Sequence, residues 1–234
     1  ITALRTACLG AIGAKYLARK DSTVYGTIGT GEQAKTHFLL IKTLFPEIKT
    51  CYVASRTSKS EEAFIQVMKK KFEDVTFIAC NSDYDLAAKN ADIIVTAVSC
   101  QEPLLKAKSI KKGAFYCHVG GWEDEYSVPL KADKIVCDDW ASLKHRGSPT
   151  IARMYEEEIL MDEDIYANLA DIISGKLPGR ESDLEFNYFN SIGLSFVDVS
   201  VAYYIYQEVI SKGFGKDWTI QNADTFEVLE DLDF

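Results

Sequence analysis

The stretch "STVYGTIGTGEQAKTHFLL", residues 22–40, spends Gly26, Gly29 and Gly31 close together and then reads as a helix. Glycine is costly to order, so a cluster of it marks positions where a side chain has no room. The residues before, Val24–Ile28, form a short apolar run of the kind found in buried strands. The residues after, 33–44, carry apolar side chains at helical spacing. A glycine turn between strand and helix exposes the backbone N–H groups of the helix N-terminus, where a phosphate can approach bare backbone. Gly29, Gly31 and Ala34 give G-x-G-x-x-A. In that pattern Gly29 makes the turn, Gly31 admits a pyrophosphate and Ala34 lets the helix close on the strand. Thr30, Glu32 and Gln33 belong to the same turn and are expected beside the nucleotide.

The chain then alternates. "TCYVASRT", "VTFIA", "DIIVTAV", "GAFYCHVGG" and "DKIVCDD" read as further strands. "SKSEEAFIQVMKKKF", with Ser58 or Ser60 near its cap, and "SDYDLAAKNA" read as helices between them. Strand and helix in succession predict parallel strands with crossovers, an α/β doubly wound sheet of the Rossmann type. The second strand ends Ala54-Ser55-Arg56-Thr57, with no acid before Glu61. An NAD-selective site ordinarily ends this strand on an acid that binds the ribose 2′-hydroxyl. Arg56 instead offers a cationic fork suited to a 2′-phosphate, and Ser55 and Thr57 offer hydroxyls. NADP(H) is therefore the expected cofactor and NAD(H) the alternative.

Beyond the sixth strand, "SPTIARMYEEEIL" and "DEDIYANLADIIS" read as amphipathic helices. Residues 191–211 are apolar on most faces and are expected to be well buried, with a subunit interface as one place for them. Asp138 and Asp139, ahead of Trp140, are expected to cap the next helix. The formal net charge of −9 argues against a nucleic-acid partner. No apolar run approaches the roughly 20 residues that cross a bilayer. Six cysteines without a C-x-x-C pair read as free thiols in a reducing cytoplasm, and three scattered histidines give no metal site. The chain opens at Ile1, inside a helical pattern and without a signal peptide, so a processed or truncated product of a longer chain is expected.

"ITALRTACLGAIGAKYLA" followed by "GTIGTGEQAKTH" resembles the ornithine cyclodeaminase/μ-crystallin family, in which a T-x-x-R-T-A helix precedes a G-x-G-x-Q-A turn. "ADIIVTAV" with Pro103, "HVGG", "VCDDW", "LADIISGKLPGR" and "FNSIGLSFVDVSVAYYIY" extend the resemblance to about residue 210. It implies a homodimer acting on a small amino-acid or imine substrate. It also implies a division into residues 1–20, leading in from a substrate/dimerisation domain, and a nucleotide-binding domain over 21–147. A helical segment over 148–212 would return to the first domain, and 213–234 would form an acidic tail. The family's N-terminal segment, a source of substrate-binding cations, has no counterpart in these residues.

Carried over by position, the resemblance gives Arg5 the substrate α-carboxylate and places Thr6 beside the cofactor. Thr96, Ala97 and Val98 would lie at the nicotinamide-side ribose, with Val119 and Gly120 across the crevice and Ser191 and Gly193 near the nicotinamide. The family's cyclodeaminases carry a catalytic aspartate after the Gly-Gly of the fifth strand, where this chain has Trp122. Glu123 and Asp124 follow at once and are the candidate replacements. An indole N–H exchanges no proton near neutral pH. The expected activity is therefore an NAD(P)-dependent imine or ketimine reductase, or the reverse amino-acid dehydrogenase. Ornithine cyclodeamination and a non-catalytic NADP-binding protein are the alternatives.

Overall fold

The computed structural model describes residues 1–218. Their order is α1 (Thr2–Leu17), β1 (Val24–Ile28), α2 (Glu32–Leu44), β2 (Thr50–Ala54), α3 (Ser58–Lys69), β3 (Thr76–Ala79), α4 (Tyr84–Lys89) and β4 (Ile93–Thr96). There follow β5 (Phe115–His118), α5 (Ser127–Lys131), β6 (Lys134–Cys137), α6 (Trp140–Leu143), α7 (Thr150–Glu156), β7 (Ala167–Asn168), α8 (Leu169–Ile173), β8 (Asn187–Asn190) and α9 (Ser195–Ser211).

The strands form one parallel sheet in the order β3-β2-β1-β4-β5-β8-β6-β7. Side chains alternate between its faces, as the strand repeat requires. Tyr25, Val53, Val95, Phe115 and Phe189 pack under α1, α2, α3 and α8, with Leu17, Phe38 and Ile41 fully buried there. Ile28, Ala54, Ile94, Tyr116 and Tyr188 pack under α4 to α7, with Leu143, Ile151 and Met154. The strand order reverses between β1 and β4, so the carboxyl ends of these strands open a crevice.

Three expectations change. The sheet does not end at residue 147: β8 inserts between β5 and β6, so the segment after 147 is not wholly helical. Residues 1–20 belong to the same compact unit, Ile1–Asp198, with Ala7, Ala14 and Leu17 inaccessible. A second unit begins at Val199, inside α9. The predicted burial of 191–211 fails for α9, which has no buried residue. Its Phe196, Val199, Tyr203, Tyr204, Tyr206 and Ile210 are 58–68% exposed in the single chain. The acidic stretch from 224 onward lies outside the described residues. All six cysteines are free thiols.

Candidate functional site

The turn after β1 is built as its glycines suggest. Gly29 sits at φ +115°, and a Cβ there would lie 2.4 Å from the Ala97 carbonyl oxygen. Only glycine reconciles that backbone with the approach of the β4 end. Gly31 is different: its φ is ordinary, −75°, and it is the N-cap of α2 with no side-chain cap. A Cβ on Gly31 would meet nothing within 4 Å. Its smallness keeps open the space in front of the N–H groups of the first turn, the arrangement that receives a pyrophosphate. Glu32 leaves that space, pairing with Lys35 at 2.9 Å on an exposed surface, and does not line the crevice.

Two cavities meet over the strand ends and share Ala97, Val98 and Ser99. One, of about 740 Å³, is lined by Gly29, Thr30, Gly31, Ser55, Arg56 and Thr57 among others. The other, of about 370 Å³, is lined by Arg5, Thr6, Gln33, Val119, Gly120, Arg146, Ser148 and Ser191 among others. The structure thus brings most of the sequence-derived set to two adjoining cavities of one crevice. The open helix terminus and the glycine cradle fit a dinucleotide.

The second strand delivers Arg56 to the crevice as an exposed residue. Glu61 is drawn away from it. Fully buried, its carboxylate accepts the backbone N–H groups of Ser55, Asn81 and Ser82 at 2.8–2.9 Å. Ser55 Oγ donates to the Thr57 carbonyl at 2.9 Å. Thr57 caps α3, its hydroxyl accepting from Ser60 N at 3.3 Å. The two hydroxyls that sequence reasoning assigned to the nucleotide are therefore already bonded within the turn.

At the other end, Arg5 projects from α1 with its side chain 17% exposed, its Nε 3.0 Å from Asp198 Oδ1. Gly193, at φ +86°, lies against it: a Cβ there would fall 1.9 Å from Arg5 Nη1. Gly193 makes room for the guanidinium and is not itself a wall of the crevice. Asp138 does not cap a helix. It accepts from Ser191 Oγ at 3.1 Å, Ile192 N at 3.0 Å and Gly193 N at 2.7 Å, fixing the turn from β8 toward α9. Asp139 occupies the N-cap position of α6, and the bond to the Trp140 N–H comes from Asn168 at 2.8 Å.

Glu123 and Asp124 are the main correction. Both are fully buried. Glu123 accepts from Val98 N at 2.6 Å through Oε1, and from Val119 N at 3.1 Å, Gly120 N at 2.8 Å and Thr96 Oγ1 at 2.6 Å through Oε2. It ties the end of β4 to the end of β5. Thr96 is accordingly turned beneath the crevice floor, with no accessible surface. Asp124 lies deeper. Its Oδ1 accepts from Thr150 at 2.7 Å, Tyr116 at 3.3 Å and Tyr188 at 3.4 Å, with His118 Nε2 also at 3.4 Å. Burial pushes its carboxyl up to about 6. Trp122, at the position of the family aspartate, stacks against Arg153 at 4.3 Å instead of lining the crevice.

Sequence reasoning missed Ser99, Arg146, Ser148 and Asp198 at this site. The signal for Arg146 and Ser148 was the turn "RGSP" shortly after the sixth strand, since connections leaving carboxyl ends of strands are where a crevice gathers its residues.

The ornithine cyclodeaminase/mu-crystallin family model matches residues 1–213. An alanine dehydrogenase of Archaeoglobus fulgidus is 34% identical over 220 residues, covering 92% of this chain and 65% of its own. A Delta(1)-pyrroline-2-carboxylate reductase of Bacillus cereus is 33% identical over 224 residues, covering 92% and 66%. Among solved structures, the Thermococcus litoralis Delta(1)-pyrroline-2-carboxylate reductase in complex with NADH and L-proline superposes with a TM-score of 0.85 at 28% identity. That match covers 93% of this chain and 67% of the other. An archaeal alanine dehydrogenase dimer with bound NAD gives a TM-score of 0.85 at 30% identity, covering 94% and 68%. The chain spans 65–66% of the length of these two curated relatives.

Proposed function

The chain belongs to the ornithine cyclodeaminase/mu-crystallin family, and on that premise we propose that it is part of an NAD(P)-dependent oxidoreductase acting at a C–N bond. It reduces an imine or ketimine of an amino acid to the amine, or runs that reaction in reverse. The observation that carries this reading is the crevice itself. A glycine cradle for a dinucleotide adjoins, at Ala97, Val98 and Ser99, a cavity walled by Arg5, and no carboxylate lines that second cavity among the described residues. The archaeal alanine dehydrogenase and the pyrroline-carboxylate reductases support the reaction class.

The nicotinamide supplies the hydride when bound. The chain's own work is positioning. The N–H groups of the first turn of α2 hold the pyrophosphate, and Arg56, which has no partner among the described residues, takes the 2′-phosphate of NADP(H). The Arg5 guanidinium, with its Nε edge toward Asp198, turns its remaining N–H groups to the substrate carboxylate. Solvent in the crevice provides the proton for the amine nitrogen. A cyclodeaminase needs an acid/base beside the α-carbon through several proton transfers. Glu123 and Asp124 are buried under backbone and hydroxyl donors, which disfavours that alternative. The apolar exposed face of α9 supports assembly as a homodimer, and the free cysteines support a cytoplasmic location.

The test is to incubate the purified protein with Δ1-pyrroline-2-carboxylate and NADPH, following oxidation of the nucleotide, and separately with ornithine and NAD, following ammonia. Reduction of the imine without ammonia from ornithine is expected. Rapid formation of proline and ammonia from ornithine would overturn the reading.

A further inference from the structure

The substrate end of the crevice holds a second cation that the reaction does not call for. Arg146 lines the same cavity as Arg5 and is absent from the lining of the nucleotide cavity. It is exposed, and its side chain has no hydrogen bond or ion pair among the described residues. Arg5 and Arg19 are ion-paired, Arg153 lies over the Trp122 ring and Arg180 bonds backbone carbonyls, so among the described arginines only Arg56 and Arg146 are left unpartnered.

The loop that presents it is anchored on both sides. On one side, Lys144 bonds Asp162 at 2.8 Å and lies over the Tyr155 ring at 4.9 Å. Asp162 is also held by Trp140 Nε1 at 2.8 Å. On the other, Thr150 at the start of α7 is bonded to the buried Asp124 at 2.7 Å. Between these anchors, Arg146 N donates to the Leu143 carbonyl at 3.0 Å, and Gly147 turns the chain at φ +65°. The guanidinium is therefore offered to the crevice from a fixed base, with Ser148 beside it as a further hydrogen-bond donor.

We propose that Arg146 is a specificity-determining residue that receives a second carboxylate of the substrate, so that the crevice prefers dicarboxylic imino acids to monocarboxylic ones. The inference rests on the reaction class proposed above and adds the substrate class to it. Arg5 holds the α-carboxylate, and the planar fork of Arg146 matches a carboxylate on the side chain or on the nitrogen substituent. A phosphate of the nucleotide is the less fitting guest, because the phosphate cradle at Gly29 and Gly31 belongs to the other cavity.

The experiment compares imines formed in situ from methylamine with pyruvate or with 2-oxoglutarate, which differ by one carboxylate. Reduction with NADPH should favour the 2-oxoglutarate imine in kcat/KM by about ten- to a hundredfold, the range for a hydrogen bond to a charged group. Arg146→Gln should collapse that ratio toward one, and Arg146→Lys should restore part of it. Binding is read independently of turnover by titrating N-methyl-L-glutamate and N-methyl-L-alanine into the protein with NADP⁺. Only the former should weaken markedly in Arg146→Gln. Turnover of both imines with no preference, or an equal loss for both in Arg146→Gln, overturns the role of Arg146 and leaves the reaction class standing. Arg146-dependent binding of N-methyl-L-glutamate without reduction of either imine overturns the reaction class and leaves the carboxylate site standing. Neither turnover nor Arg146-dependent binding overturns both.

Discussion

Replacing Glu123 by glutamine tests whether a buried carboxylate holds the crevice together. The two side chains have the same shape, but one acceptor oxygen becomes an NH2 donor. If the amide oxygen takes the place of Oε2, it keeps the N–H groups of Val119 and Gly120 and the Thr96 hydroxyl. The NH2 then faces the Val98 N–H, which donates to Oε1 at 2.6 Å in the parent. One charge-assisted bond is lost and the half-buried Val98 N–H is left facing a donor, together worth roughly 1.5–3 kcal/mol. The opposite flip is worse, since two N–H donors would face the NH2. Glu123→Gln should therefore cost roughly 1.5–3 kcal/mol, within a stability of roughly 5–15 kcal/mol for a domain. Val98, Val119 and Gly120 wall the crevice, so nucleotide affinity should fall as well. Urea unfolding at neutral pH and fluorescence titration with NADPH read the two effects. A variant within about 1 kcal/mol of the parent in stability, and equal in affinity, would refute the tie. Full stability with turnover abolished would instead return Glu123 to the role of a catalytic acid.

Asp124 gives a pH dependence of known sign. It is fully buried and faces His118, Glu123, Tyr116, Tyr188 and Thr150. Its carboxyl rises from 3.8 to about 6 on folding, so the folded protein holds a proton that the unfolded chain has released between those values. That contribution is complete below about pH 4 and is lost as pH rises through about 6. Asp124→Asn should then gain on the parent by up to roughly 3 kcal/mol across this window. A stability difference that stays constant from acid to neutral pH would exclude the effect. For the nucleotide, Arg56→Asp should lower NADPH affinity about ten- to a hundredfold relative to NADH. Equal binding of NADPH and NADH by the parent in a fluorescence titration would remove Arg56 from cofactor choice.

The sheet was legible where the sequence kept apolar strands and glycine punctuation, as in β1 to β6. β8 was not, because "NYFN" begins and ends on asparagine and runs into a helical pattern. Asn187 is tolerated there only because α1 supplies an acceptor, its Nδ2 donating to the Leu17 carbonyl at 3.0 Å. Nothing local predicts a partner 170 residues away. Arg146 was hidden for a related reason: its place depends on which strand ends adjoin, and that order includes the unseen β8. Glu123 and Asp124 misled because consecutive acids ordinarily face solvent, whereas here both find donors that only the folded chain brings together.

Glu123 shares its role with two other buried carboxylates, Glu61 and Asp138. Glu61 ties the end of β2 to the end of β3, through the N–H groups of Ser55, Asn81 and Ser82. Glu123 ties β4 to β5, and Asp138 ties β6 to β8 through Ile192 and Gly193. Three pairs of adjacent strands are each stitched at their carboxyl ends by one buried carboxylate accepting backbone N–H groups. A carboxylate so used is turned to backbone N–H groups beneath the crevice and does not itself line it. The charged residues left lining the crevice are Arg5, Arg56, Arg146 and Glu102. In a chain with nine more acids than bases, the two cavities are lined among the described residues by three cations and one acid, with Asp198 paired to one of the cations, Arg5. For the reaction proposed above, these lining cations would favour an anionic nucleotide and substrate in spite of the net charge of the whole.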